Sequence, residues 1–362
     1  MYDYIITRTR RRYILMKRIY LTFLFILLFP LPDSFASEKK NPEESNTVTF
    51  YMENDVINNR DGQYTSGVKL SWVSKDLSNY RENEGVPEWS YPVTDRLPFN
   101  KKPGYQRNIS FSIGQNIYTP DDTNRADLIK DDRPYAGVSY MAIGFLSKNK
   151  KRMDTFEIDA GILGPHSYAS KFHIFFHKRI GAKEAKGWDN QLKDELFLNL
   201  SYERKWRAFE SDLGSGFGYD LIPYAGFSAG NFLTAAAMGG QLRFGLNLPD
   251  DFGTLLIRPG SNTNAPVDDK DPRFSPAPNP FGVHMFLGVD AFAVARDIVL
   301  DGNTFTESHS VGKETVVCRF IGGIGILFHH LKITYANVRE TKKFKTQKEY
   351  QRYGSFTVSY SF

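Results

Sequence analysis

Three groups of residues in this chain carry side chains suited to chemistry. The first is Glu53-Asn54-Asp55 with Tyr64-Thr65-Ser66-Gly67. It offers a carboxylate, an amide oxygen and a hydroxyl, the hard oxygen ligands that hold calcium, with Asp55 as the charged member. The same residues also suit a polar turn with an Asx cap, and spacing alone leaves both readings open. The second group runs from Asp121 to Gly137 and contains Arg125, Lys130, Asp132 and Arg133. Arg125 and Lys130 are able to grip phosphate groups, one by a bidentate fork and the other as a point charge; the alternative is a solvated loop. Asp132 and Arg133 read as a brace for the strand that follows. The third group is Gly164-Pro165-His166-Ser167, His173, His177 and Gly187-Trp188-Asp189-Asn190-Gln191. His173 and His177 stand at i and i+4 on one helix face, a metal-compatible spacing. No Glu adjoins the first of them, so the metalloprotease pattern is missing. Ser167 lies in Gly164-Pro165-His166-Ser167-Tyr168, which is not the Gly-x-Ser-x-Gly elbow of a hydrolase nucleophile. A histidine above a rim bearing Asp55 suits general-base work on water, because an ordinary imidazole titrates at about 6.5. A packing or surface histidine is the competing reading.

These groups need a frame, and the hydropathy pattern supplies one. From Thr47 onward apolar residues recur at period two in segments of about ten residues, the mark of β-strands. Val48, Phe50 and Met52 alternate with Thr49, Tyr51 and Glu53; Phe356, Val358, Tyr360 and Phe362 alternate with Ser355, Thr357, Ser359 and Ser361. Twelve such segments are expected, an even number. Their polar face includes Lys69, Glu157, Asp159 and Glu203. That face suits a polar lumen, with the apolar face turned to lipid, and strands of this length match a tilted membrane crossing. An open edge is not tolerated in hydrocarbon, so the sheet must close. The expectation is all-β: a single transmembrane antiparallel barrel over 47–362, with long extracellular loops and a short helix near the active site. A chain ending on an outward aromatic, Phe362, resembles the assembly signal of bacterial outer-membrane barrels. With both termini periplasmic, links 54–64, 118–134, 164–194, 296–313 and 341–354 face outside. Parity turns Asp55 and Thr65 toward the lumen, and Ser170 to Ile180 is expected as a short helix across the barrel mouth. Segments 75–106 and 247–281 fit less well, being long links on the periplasmic side.

The charge distribution agrees. The chain has 362 residues and a formal charge of +5, from 46 Lys and Arg against 41 Asp and Glu. Residues 1–36 hold six basic and two acidic residues, so a net of only +1 is left for the rest. A nucleic-acid partner loses its electrostatic basis. Lys17 and Arg18, the apolar run Ile19 to Leu31 and the small residues of Ser34-Phe35-Ala36 make a secretory signal peptide over 1–36, starting at Met1 or Met16. Residues 37–46 read as a leader. Cys318 is the single cysteine, which leaves no disulfide framework.

The motifs also resemble a known family. Asn54-Asp55, Tyr64-Thr65-x-Gly67, Ile117-Tyr118-Thr119-Pro120, Asp132-Arg133-Pro134-Tyr135-Ala136-Gly137, Gly164-Pro165 with His177, Ile180-Gly181 and Gly187-Trp188-Asp189-Asn190-Gln191-Leu192 together are similar to the LpxR family of outer-membrane lipid A 3'-O-deacylases. The resemblance implies a twelve-stranded barrel that hydrolyses the ester holding the 3'-linked acyloxyacyl group of lipid A, with calcium required. It implies His177 as the general base, Asn54 and Asp55 in the catalytic and calcium-binding cluster, and Thr65 in support. Arg125 falls where members carry two adjacent basic residues that meet the lipid A headgroup; here Ala126 follows it, a departure that bears on phosphate recognition. A monomer in the Gram-negative outer membrane is expected, with lipopolysaccharide as partner. Other classes left open are an outer-membrane phospholipase and a passive pore.

Overall fold

The computed structural model describes residues 42–55, 62–81, 86, 88–99, 103–181, 183–254, 256–262, 264–267, 271–274 and 281–362. The expected signal peptide and residues 37–41 of the leader lie outside the described residues. Thirteen stretches are extended: β1 (Thr47–Asn54), β2 (Gln63–Val73), β3 (Gln106–Thr119), β4 (Ala136–Lys148), β5 (Arg152–Leu163), β6 (Glu195–Trp206), β7 (Phe209–Gly214), β8 (Phe217–Gly230), β9 (Leu233–Leu246), β10 (Phe281–Asp297), β11 (Val316–Phe328), β12 (Leu331–Glu340) and β13 (Gln351–Ser361). All pairing is antiparallel, and β1 joins β13. Strand β6 pairs with β8 from Asn199↔Gly230 to Lys205↔Tyr224, and β7 continues along the same edge of β8. The Ala208 amide bonds the Leu221 carbonyl and bridges the gap. The two stretches β6 and β7 are therefore one bent stave, and the result is a closed barrel of twelve staves. Every expected strand is present.

Asn46 and Phe362 exchange backbone hydrogen bonds of 2.7 and 2.8 Å, so both chain ends meet at one rim, the terminal rim. The opposite, far rim carries the described residues of the links 55–62, 120–135, 164–194, 231–232, 298–315 and 341–350. Alternation sorts the side chains as expected. In β6, Leu196, Leu198 and Leu200 are exposed on the outside while Asn199, Ser201 and Glu203 are buried inside. Phe111, Ile113, Met141, Met238, Met285, Leu287, Phe320 and Ile324 continue the exposed apolar belt, the lipid-facing surface of a membrane barrel.

The two long links at the terminal rim are real, and each has somewhere to go. Link 74–105, with the short helix α1 (Tyr91–Thr94), folds back on the outside of the wall. Tyr80 donates its hydroxyl to the Asn108 and Leu146 carbonyls at 3.2 and 2.8 Å. Leu77, Val86, Leu97 and Phe99 bury Ile109 and Phe145. Both belong to the outward rows of β3 and β4, and here protein covers them. The described residues of link 247–280 enter the lumen instead. Lys69 donates to Ser261 at 2.8 Å, the Gly260 amide to Glu157 at 2.7 Å, and Asn262 to Glu157 at 3.0 Å, while Arg258 pairs with Glu203. Asp251 accepts from Arg243 and Lys332, each at 2.7 Å. Buried charges need such partners, and the plug provides them for the wall. At the far mouth, α3 (Ile298–Asp301), N-capped by Asp297, buries Ile298, Val299 and Leu300 with Tyr118 and Tyr353.

Candidate active site on the outer wall at the far rim

Strands β1 and β2 deliver the first group. Asn54 lies between Ser66 and Gly354 on the row of Phe50 and Met52, and is half-buried. Asp55 is buried; its carboxylate accepts from the Gly62 amide at 2.7 Å, and its own amide donates to the Thr65 carbonyl at 3.3 Å. A bulge interrupts β2 between Tyr64 and Ser66, with Thr65 as the extra residue. An extra residue reverses the parity on one side of it. Tyr64 takes the lumen position, its hydroxyl on Glu53 at 2.9 Å. A side chain at Gly67 would place Cβ 2.0 Å from that hydroxyl, so the close approach needs glycine. The Thr65 hydroxyl bonds Thr119 at 2.8 Å. Thr119 belongs to the outward row of β3, with Phe111, Ile113 and Ile117. The inward orientation expected for Thr65 is therefore corrected: the bulge turns it to the outside.

The expected helix exists as α2 (Ala169–Ile180), but it does not cross the mouth. It lies against the outward side of β3 and β4. A Cβ at Gly137 would stand 2.4 Å from that of Ala169, and Ile117 clusters with Ala169, Tyr135 and Trp188. Gln115 and Ser139 donate to the Ser167 carbonyl at 2.9 and 2.8 Å, fixing the start of the helix to the outer wall.

His173 and His177 are buried on the inner stripe of α2, ring centroids 4.0 Å apart. His177 donates Nδ1–H to the Lys183 carbonyl at 2.5 Å, since a carbonyl only accepts. In the neutral ring that bond leaves Nε2 as the acceptor. His173 is set the other way: Trp188 Nε1–H donates to its Nδ1 at 3.3 Å, which puts the proton on Nε2. Burial, with a smaller push from His177, lowers the His173 pKa to about 3. His173 is thus a neutral donor at Nε2, while His177 uses Nδ1 as its donor. Gly187 has room only for hydrogen, because a Cβ there would meet Tyr135 at 2.5 Å.

The second group packs beside the third. The Lys186 amide donates to the Thr123 carbonyl at 2.9 Å and Asn190 to the Ala126 carbonyl at 2.7 Å. Arg125 is exposed, paired with Asp127, and its pKa is raised by that pairing. Lys130 is exposed nearby on the same link. Asp132 accepts from Gln63, from the Asp121 amide and from its neighbour's amide at 3.1, 2.8 and 2.7 Å. The Arg133 side chain leaves Asp132 and lies over the Tyr118 ring at 4.5 Å, fully buried. His166, on the exposed flank, bonds Asp194 at 2.6 Å.

A family model described as "Outer membrane protein LpxR" matches residues 21–362. The chain belongs to the LpxR family. LpxR from Salmonella typhimurium, a solved structure, aligns at a TM-score of 0.65 and 16% identity, covering 87% of this chain and 99% of that one. The β domain of the Bordetella autotransporter BrkA reaches only 0.43 at 9% identity, over 88% and 98% of the two chains. No curated protein matches the sequence. The protein is an exported barrel of the outer membrane.

In this LpxR-family chain one β3 motif serves three neighbours. Ile117 seats α2, Tyr118 turns into the lumen under Arg133, and Thr119 holds Thr65. Sequence reasoning singled out the two imidazoles and Trp188 separately, without the bond between them. It missed Thr119 and the Lys183 carbonyl as orienting groups. Below α2 the outer wall carries an open apolar groove of about 830 Å³, lined by Leu70, Ile113, Met141, Ile162 and Leu196, among others. Gln115 and Ser139 stand in both groove and helix anchor. Among the described residues no three His, Cys, Asp or Glu side chains group to hold a metal. The Asn54, Asp55 and Thr65 corner offers oxygen donors with one carboxylate, a set that fits calcium rather than zinc.

Proposed function

We propose that this protein is a lipid A 3'-O-deacylase, hydrolysing the ester of the 3'-linked acyl chain with His177 as general base. The observation that carries this reading is the His177 tautomer: Nδ1–H tied to the Lys183 carbonyl leaves Nε2 to accept a proton. In the proposed step a water gives its proton to Nε2 as its oxygen attacks the ester carbonyl. The sugar oxygen leaves with the returned proton, and free fatty acid and hydroxyl are the products. General-base assistance of this kind accounts for about 10²–10⁴-fold in rate. His173, one turn away, holds its Nε2–H as a fixed donor beside the base. Asp55 with the oxygens of Asn54 and Thr65 would hold calcium, whose chemistry when bound is a fixed positive charge near the carbonyl oxygen.

The groove under α2 supports lateral access. An acyl chain lying there stays on the lipid-facing wall, while its ester reaches the far rim. Arg125 and Lys130 are assigned to headgroup phosphate, with Asp127 to be displaced from Arg125. Residues 1–36 are assigned to a cleaved export signal and 37–46 to a leader.

The test compares lipid A from cells carrying wild type, His177→Ala or no protein, by mass spectrometry. Loss of the 3'-linked chain is expected with wild type only, and the variant should fall by about 10²–10⁴-fold while still showing the heat-dependent gel mobility of a folded barrel. Full activity in the variant would overturn the assignment of the base. Release of fatty acid from glycerophospholipids, with lipid A left intact, would replace the substrate class.

A further inference from the structure

Helix α2 buries one stripe and leaves another bare. Ala169, His173 and His177, at i, i+4 and i+8, face the wall and Trp188. On the other side Phe172 and Phe175 are 42% and 57% exposed, and Tyr168 at the helix start is 54% exposed. Phe172 and Phe176 stack one turn apart, centroids 6.4 Å and planes 14° apart. Lys171 and Lys178, seven residues apart, share the adjoining line of the exposed face. Arg179 lies over Phe175 at 5.5 Å and Lys171 over Tyr168 at 4.8 Å. Long basic side chains laid over rings keep their stems apolar and their charges outward.

The height of the helix on the barrel is fixed by its seat on Gly137 and Ile117. Toward the terminal rim the outward rows run through Ser139 and Gln115, which hold the helix start, to Met141 and Ile113, 66% and 57% exposed, the upper edge of the apolar belt on β4 and β3. A helix resting above that edge sits at headgroup level. Aromatic rings and basic side chains are the residues enriched at that level, and a bare aromatic face with flanking cations is the pattern of helices lying in the interface.

We propose that α2 is an interfacial helix whose Tyr168, Phe172 and Phe175 side chains are embedded among outer-leaflet lipids, while Lys171, Arg179 and Lys178, the last in exchange for its exposed partner Glu184 at 3.4 Å, pair with anionic headgroups. The occupant is lipid rather than protein, because the face is continuous with the lipid-facing belt and its charge complements phosphate. The membrane thereby holds the stripe that bears His177 against the wall.

The test replaces Cys318 by Ser and places a nitroxide at Phe175→Cys, Lys178→Cys or, as an aqueous reference, Glu307→Cys. Each labelled full-length barrel is reconstituted in bilayers of phosphatidylethanolamine and phosphatidylglycerol, and collision rates with oxygen and with a water-soluble nickel chelate are measured. The expected result is loss of nickel collisions at 175 with retained oxygen collisions, and nickel access at 178 and 307. Lys171→Gln, Lys178→Gln and Arg179→Gln together should restore nickel access at 175. Nickel access at 175 equal to that at 307 would overturn the proposal, and spin–spin broadening at 175 would replace lipid by a second copy of the chain. No hydrolysis is needed, so a label that embeds in a protein without deacylase activity overturns the enzymatic reading alone.

Discussion

His173 and His177 stand one helical turn apart, yet their hydrogen bonds set them to opposite roles. The Lys183 carbonyl fixes the proton of one on Nδ1, and the Trp188 indole fixes that of the other on Nε2. The i, i+4 spacing was visible in the sequence as one shared helix face; tautomers depend on partners from residues 183 and 188, so spacing does not contain them. The depressed His173 pKa makes docking of α2 pH-dependent. An undocked imidazole binds a proton below about 6.5, whereas the docked one resists until about 3. The undocked state therefore binds more protons across that window, and docking is fully stable above it and weakens as pH falls through it. A nitroxide at Lys178→Cys should be immobile at neutral pH and gain mobility on acidification, with His173→Phe removing the transition. Unchanged mobility through the window would refute the linkage.

At the scale of elements, the alternation that defines a strand says which face a residue shares but not where parity breaks. The bulge at Thr65 leaves no mark in the hydropathy pattern, and it turns the threonine from lumen to outer wall. Helix α2 was legible as a run without Gly or Pro, while its seat was not, because that depends on glycine at position 137 in a distant strand. A Cβ there would meet Ala169 and Ser167 at 2.4 and 2.5 Å. Gly137→Val should lift the helix, and displacement of a catalytic group by about 1 Å costs on the order of 10²-fold in rate. Deacylation should drop by that order while the barrel keeps its gel mobility. Gly322→Ala is the control: its nearest new neighbour is 3.7 Å away, and activity should be unaffected. Equal rates in wild type and Gly137→Val would show that the seat does not matter.

Over the whole molecule, one long link fills the lumen and the other covers part of the outer wall. Asp251 is the hub of the plug, facing Arg243, Arg273 and Lys332. Asp251→Ala would leave these cations short of a counter-charge, at a cost of about 3–5 kcal/mol for breaking a buried ionic cluster. The wild-type barrel is expected to be nearly silent in planar bilayers, and the variant to show conductance events and a lower thermal transition. A variant as silent and as stable as wild type would mean that the plug does not depend on this cluster.

The hydropathy pattern was enough for the number of staves, their closure and the faces of their regular stretches, because lipid imposes a period of two and forbids open edges. The sequence by itself also offered the candidate residues for chemistry, through motifs whose order is local to each link. The tertiary structure alone decided that the candidate site lies on the outer wall rather than over the lumen, and that the long links were plug and cover. Both outcomes follow from contacts between residues far apart in the chain, Gly137 with Ala169 and Lys69 with Ser261 among them, and no local pattern encodes a partner that folding has yet to bring near.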